Sequence, residues 1–407
     1  MQFSLHRWIR ISLLNLLIVA SIGVVLRYKI AFALPFIDQK FLLHGHSHFA
    51  FTGWITQSLM LLLVGKLANE QGMEIFRRYR PVLIANLISA YGMLICFPIE
   101  GYGLYSIIFS TLSILVSYFF AVMYWKDMRK LKTRNTSHSW ISAALLFNVI
   151  SSIGAFALAG MMIAKFVHQN WYLAAEYFYL HFQYNGWFFF SCMGLFTGKL
   201  ASSSIPEKSL KNIYRLFASA AVPAYLLSVL WVNLSMPLYI IVVMAAFAQV
   251  IAWGWFVLLL RKNISFLLQT FSRSAKWLFI LSAIALSIKL FLQLGSVIPS
   301  LSDLSYGFRP IIIGYLHLVL LGIITLFILG YFIAEENISF SRLTFWGAGI
   351  FTAGIIINEI LLMIQGVKAM NYENIPYITE ALFATALVMF SGILLVNCSV
   401  RKKIIQT

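Results

Sequence analysis

The stretch Leu42-Leu43-His44-Gly45-His46-Ser47-His48-Phe49-Ala50-Phe51-Thr52-Gly53-Trp54 sets three imidazoles at the head of an apolar run that continues through Leu59-Met60-Leu61-Leu62-Leu63-Val64. On a helix His44 and His48, four residues apart, share a face, whereas His46 points elsewhere. Three imidazoles within five residues suit copper or zinc; a histidine patch at a membrane surface explains them equally well.

The end of this stretch recurs twice. His48-Phe-Ala-Phe-Thr-Gly53-Trp54, His181-Phe-Gln-Tyr-Asn-Gly186-Trp187 and His317-Leu-Val-Leu-Leu-Gly322-Ile323 each read His-x4-Gly. From 48 to 181 to 317 the steps are 133 and 136 residues, close to a third of the 407-residue chain. Spacing of this regularity marks an internal repeat, with pseudo-repeats at roughly 1–135, 136–270 and 271–407 of a single polytopic domain.

Composition gives the repeat its setting. Hydrophobic residues make up 61% of the chain and charged residues 11%, with a mean hydropathy of +0.86. A soluble domain is about half apolar and a quarter charged. A membrane-spanning helix needs about 20 apolar residues, because every backbone group must be satisfied within the segment. Twelve such runs are predicted, at 9–27, 48–67, 81–99, 103–125, 139–165, 171–198, 213–232, 237–260, 274–295, 309–333, 343–365 and 376–398. The three histidines fall in the second, sixth and tenth. The fold class is therefore all-α integral membrane, about twelve transmembrane helices in three pseudo-repeats of four. The first run follows His6, Arg7 and Arg10 without a small-residue cleavage site and reads as a retained anchor.

Net charge is +17, which raises nucleic acid as a partner. With the amino terminus inside, however, 23 of the 30 Lys and Arg fall on one face; the seven on the other are Arg27, Lys29, Lys40, Lys165, Lys289, Arg309 and Lys368. That asymmetry is the positive-inside rule. It places the chain in a bacterial inner (cytoplasmic) membrane with both termini cytoplasmic, the lipid bilayer as its first partner and no role in nucleic-acid binding. The basic loop from Lys126 to Arg134 also suits anionic lipid heads. Cys96, Cys192 and Cys398 show no CxxC or CxxCH spacing and carry no redox message.

A histidine inside lipid is costly unless it faces a bundle interior, a water-filled cavity or a cofactor, and neutral imidazole ligates haem iron, copper and zinc. His48, His181 and His317 are thus candidate cofactor ligands, and His44 and His46 join them as candidate metal ligands; hydrogen bonding between helices is the competing role. Gly53, Gly186 and Gly322 remove bulk one turn further on, where a macrocycle or a neighbouring helix can approach. Haem propionates need cations. Arg309, eight residues before His317, is the first choice on the outer side, with Lys40 and Arg27 behind it. Glu359, next to Asn358, is the candidate proton-handling carboxylate, and Tyr315 a weaker candidate beside it.

At these residues the chain resembles the haem–copper oxidase subunit I superfamily, and more closely the NnrS-type haem- and copper-containing membrane proteins, through His46-Ser-His48 to Gly53, Leu180-His181 and His317 to Gly322. The resemblance implies that His48 and His317 bind a low-spin haem and that His181 stands where a copper ligand would be. Other residues depart from the oxidase pattern. No histidine lies between 213 and 232, Tyr315 stands where oxidases carry the high-spin haem ligand, and Asn185 rather than tyrosine follows His181 by four. The expected function is a haem-binding membrane protein of respiratory redox or nitric-oxide stress metabolism, with copper as a second candidate metal, working with a redox partner or other membrane subunits and lacking a complete oxygen-reducing site. Two alternatives stay open: a proton- or metal-coupled transporter using the histidine layer, and a non-catalytic assembly subunit.

Overall fold

In a computed structural model the described residues are 5–232, 234–298, 301, 308–335, 338–339, 341–399 and 401–402. Of the basic residues Arg401, Lys402 and Lys403, counted among the 23 on the inner face, Lys403 lies outside them. Helices occupy all twelve expected places. They are α1 (Leu5–Ala31), α2 (Gln39–Gln71), α3 (Glu74–Glu100), α4 (Leu104–Arg129), α5 (Thr136–Ile163), α6 (169–199), α7 (Glu207–Ala221), α8 (Met236–Lys262), α9 (Arg273–Gly295), α10 (Arg309–Ala334), α11 (Arg342–Met370) and α12 (Ile378–Ser399). Among the described residues ten are long and apolar enough to cross a membrane. The two that fall short are α6, which carries Glu176, His181, Gln183 and Asn185, and α7, which is only 15 residues long and carries Glu207, Lys208, Lys211 and Arg215.

Three of the helices change their winding part of the way along. Residues Ala50–Thr56 of α2, Phe182–Phe188 of α6 and Leu318–Thr325 of α10 are π-helical. Each segment begins one or two residues after the repeated histidine and contains the repeated glycine, so the sequence motif is also a motif of backbone conformation. A π segment loosens the hydrogen-bond ladder, and such segments gather at functional sites. In lipid the loosened carbonyls must find donors on neighbouring helices. Asn15 Nδ2 of α1 donates to the Gly53 carbonyl at 2.6 Å, Asn86 Nδ2 of α3 to that of Thr52 at 3.1 Å, and Ser282 Oγ of α9 to that of Ile323 at 2.8 Å.

The seventh helix differs from its sequence reading. The seventh run, 213–232, was expected as one helix. Instead α7 stops at Ala221, and Pro223–Val229 continues as a 3-10 helix. Proline has no N–H and its ring crowds the preceding turn, which breaks the α-helical ladder in the middle of the apolar run.

The chain forms two compact units. One holds α1 to α3, α4 as far as Phe120, Ser272–Ser282 of α9, and α10 to α12. Within it α12 packs between α1 and α11, α2 lies on α3 and α1, and α10 lies on α11. Glycines let α11 and α12 cross closely: a Cβ on Gly347 would stand 2.8 Å from the Gly392 carbonyl. Small residues at such crossings are the membrane counterpart of a hydrophobic core, since lipid is as apolar as leucine and packing must supply the attraction. Trp54, Phe49, Phe97 and Phe332 are among its fully buried side chains. The other unit holds the rest of α4, α5 to α8, a short helix Ile264–Thr270 and the rest of α9. Here α5 and α6 run antiparallel, Ser137 Oγ donating to the Gly194 carbonyl at 2.6 Å while Gly154 admits the Ala175 backbone.

Candidate functional site

The α2 histidines divide around their helix as a 100° step per residue requires. His48 and His44 face α3 and the turn after it. The His48 ring stacks on Phe97 with centroids 4.3 Å apart and planes 8° from parallel, and its Nε2 lies 3.4 Å from the Tyr102 hydroxyl. His44 meets the edge of Tyr102 at 4.7 Å and leaves its buried Nε2 without a partner.

His46 faces α1. Its ring hydrogen-bonds the Val19 backbone and lies over Gly23, where an added Cβ would come 3.5 Å from its Cε1. Its Nδ1 is buried and has no partner. Arg27, four residues beyond Gly23, acts electrostatically on His46, on His317 of α10 and on Glu359 of α11. His46 and His317 also act on one another. The resemblance assigns His48 to the iron with His317; in the molecule it is His46 that shares an electrostatic neighbourhood with His317, because the face carrying His48 is given to Phe97 and Tyr102.

His317 is oriented from α11. Asn358 Nδ2 lies 3.4 Å from its Nδ1, and the same amide donates to Glu359 Oε1 at 3.1 Å. No group among the described residues takes its Nε2. Gly314, one turn before His317, lets the Glu359 carboxylate approach: a Cβ there would sit 3.9 Å from Oε2. The π segments of α2 and α10 are themselves joined, Trp54 Nε1 donating to Thr325 Oγ1 at 2.9 Å. Four helices thus bring Arg27, His46, His317, Asn358 and Glu359 together, with one guanidinium and one carboxylate.

His181 belongs to the other unit and is fully engaged there. Its Nε2 donates to the Ala221 carbonyl at 2.8 Å, where α7 gives way to the 3-10 segment, and its Nδ1 takes Asn185 Nδ2 at 3.1 Å. A carbonyl only accepts, so Nε2 carries a proton, and both ring nitrogens are in use. The space expected beside Gly53 and Gly186 is filled by rings, Phe49 against the first and Phe147 against the second. Gly322 lies buried within its π segment. Arg309 is exposed at the first position of α10, and Tyr315 precedes His317 by two residues on the same helix.

Among the described residues no three His, Cys, Asp or Glu side chains converge in a way that could hold a metal ion. His44, His46 and His48, read together as a copper or zinc cluster, face two directions instead of one. Sequence reasoning passed over Lys289, which it counted with the outer-face charges. It is 4% exposed, donates to Gln293 Oε1 at 2.5 Å and acts electrostatically on His181. Its position inside Leu286-Ser-Ile-Lys289-Leu-Phe-Leu, with apolar residues on both sides, was the available signal. No known family model and no curated protein matches the chain.

Proposed function

We propose that this chain is an integral membrane haem-binding protein of the haem–copper oxidase subunit I-like kind, nearest the NnrS type. It serves redox or nitric-oxide chemistry in a bacterial inner membrane, with both termini cytoplasmic and a membrane redox partner. One observation carries the reading: His46 and His317 stand beside a single arginine on two helices joined at their π segments, and the buried Nδ1 of His46 has no protein partner. An orphaned imidazole nitrogen in a membrane interior is costly unless something binds it.

The residues fit a haem. His46 and His317 would hold the iron, Arg27 would balance a propionate, and Asn358 stands at His317 Nδ1, where its side-chain oxygen would have to face the ring to accept the Nδ1 proton of an imidazole bound through Nε2. Haem supplies one-electron and small-gas chemistry when bound. Glu359, held by Asn358 within the field of Arg27, takes up or gives a proton to balance a change of charge nearby. The residues do not assemble a copper site: His181 has both nitrogens engaged, and no third ligand stands with His46 and His317 among the described residues. Copper therefore has no part in the proposal, nor has oxygen reduction.

The test is the optical spectrum of the purified protein together with its haem content. Haem-sufficient cells should yield protein with a Soret band that His46→Leu and His317→Leu remove. Purification without a Soret band would reject the reading in favour of transport or a role in assembly. Transport has one specific observation behind it, the break in α7 at Pro223, since broken helices form the sites of many transporters.

A further inference from the structure

Within the unit that holds His181, a lysine stands inside a helix bundle without a counter-charge. Lys289 lies past the middle of α9, packed to 4% exposure, and among the described residues no carboxylate pairs with it. Its Nζ donates to Gln293 Oε1 at 2.5 Å, and Gln293 Nε2 donates to Gln249 Oε1 of α8 at 3.1 Å. Gln249 and Gln293 are buried as well, at 6% and 8%. His181, the other titratable group within electrostatic reach, carries the same sign of charge when protonated and has both nitrogens occupied.

Donor accounting decides what is missing. The ammonium brings three N–H donors and each amide two, while the trio owns two acceptor oxygens, both already in use. Buried donors are nearly always satisfied, and an ammonium in a membrane interior needs a partner of opposite charge. The cluster is therefore rich in donors and positive charge and poor in acceptors. The same unit contains the interrupted helix at Pro223, and ionisable residues within transmembrane helices mark substrate and ion pathways.

We propose that Lys289, Gln293 and Gln249 form a binding site for a small monovalent inorganic anion, which supplies the acceptors and the negative charge this cluster lacks. None of its three residues is one that would hold the haem.

The experiment is thermal unfolding of the purified full chain in detergent, with sodium chloride exchanged for sodium gluconate at constant ionic strength. Wild type should show a saturable rise in midpoint with chloride, Lys289→Arg should keep it, Lys289→Met should abolish it, and Gln249→Leu should raise the half-saturating chloride roughly tenfold, as the loss of one donor to an anion does. An equal response in wild type and Lys289→Met, or no saturable response of wild type to chloride, bromide or nitrite, overturns the site. Should Lys289→Met fail to fold, an unchanged half-saturation in Gln249→Leu overturns it. Haem content plays no part in the readout.

Discussion

Substituting the three α2 histidines singly tests which of them serves the pair with His317. His46→Leu should lower the haem-to-protein ratio at least roughly tenfold, whereas His48→Leu should leave it nearly unchanged, because His48 is committed to Phe97 and Tyr102. Pyridine haemochrome measurement on the purified variants decides it; equal losses from both would mean that His48 also reaches the iron. Asn358→Leu removes the group that orients His317 and should weaken haem retention by about 10- to 100-fold without unfolding the chain, as measured by haem transfer to an acceptor protein. The sequence identified four members of this constellation: His46, His317, Glu359 and Arg27. Through the resemblance it paired His48, not His46, with His317; a two-residue offset reverses a helix face, and the direction of the interior depends on neighbours that spacing alone does not reveal. Lys289 escaped notice for a related reason: a charge six residues from a helix end looks like a boundary residue until its neighbours are known.

Among the elements, the π segments show where local reading ended. The His-x4-Gly repeat was legible, yet its unwound backbone was not, since the donors that make it tolerable, Asn15, Asn86 and Ser282, lie on other helices. Trp54→Phe deletes the bond joining the π segments of α2 and α10. It should cost about 0.6 kcal/mol and no more than about 1.7 kcal/mol, the range for single hydrogen bonds between membrane helices, in reversible unfolding from mixed micelles. The crossing of α11 and α12 is less forgiving. Gly392→Leu places a side chain where the Phe351 backbone already lies and should destabilise by about 1–3 kcal/mol or displace α12 altogether, which unfolding and limited proteolysis would register.

Across the whole molecule, hydropathy placed a helix in each of the twelve expected runs among the described residues, because solubility in lipid is a property of composition, but it missed the start of α2 and the break at Pro223 by many residues. It did not anticipate that α6 and α7 would be the least apolar, since their polar residues are spent on interior hydrogen bonds and on a basic helix start. The proposed orientation follows from the distribution of Lys and Arg and has its own check. Cys398 is exposed near the end of α12, so a Cys96→Ser, Cys192→Ser variant should react with a membrane-impermeant maleimide in inside-out vesicles and not in intact cells. Labelling in intact cells would invert the topology and with it the side from which the site is reached.

The central claim is that His46 and His317 hold a haem, and an absorption spectrum of the purified wild-type chain beside the His46→Leu, His48→Leu and His317→Leu variants tests it most directly. The account predicts a Soret band in wild type and His48→Leu that is lost in the other two. Wild-type protein from haem-sufficient cells with no Soret band, or a band that survives both His46→Leu and His317→Leu, would contradict it.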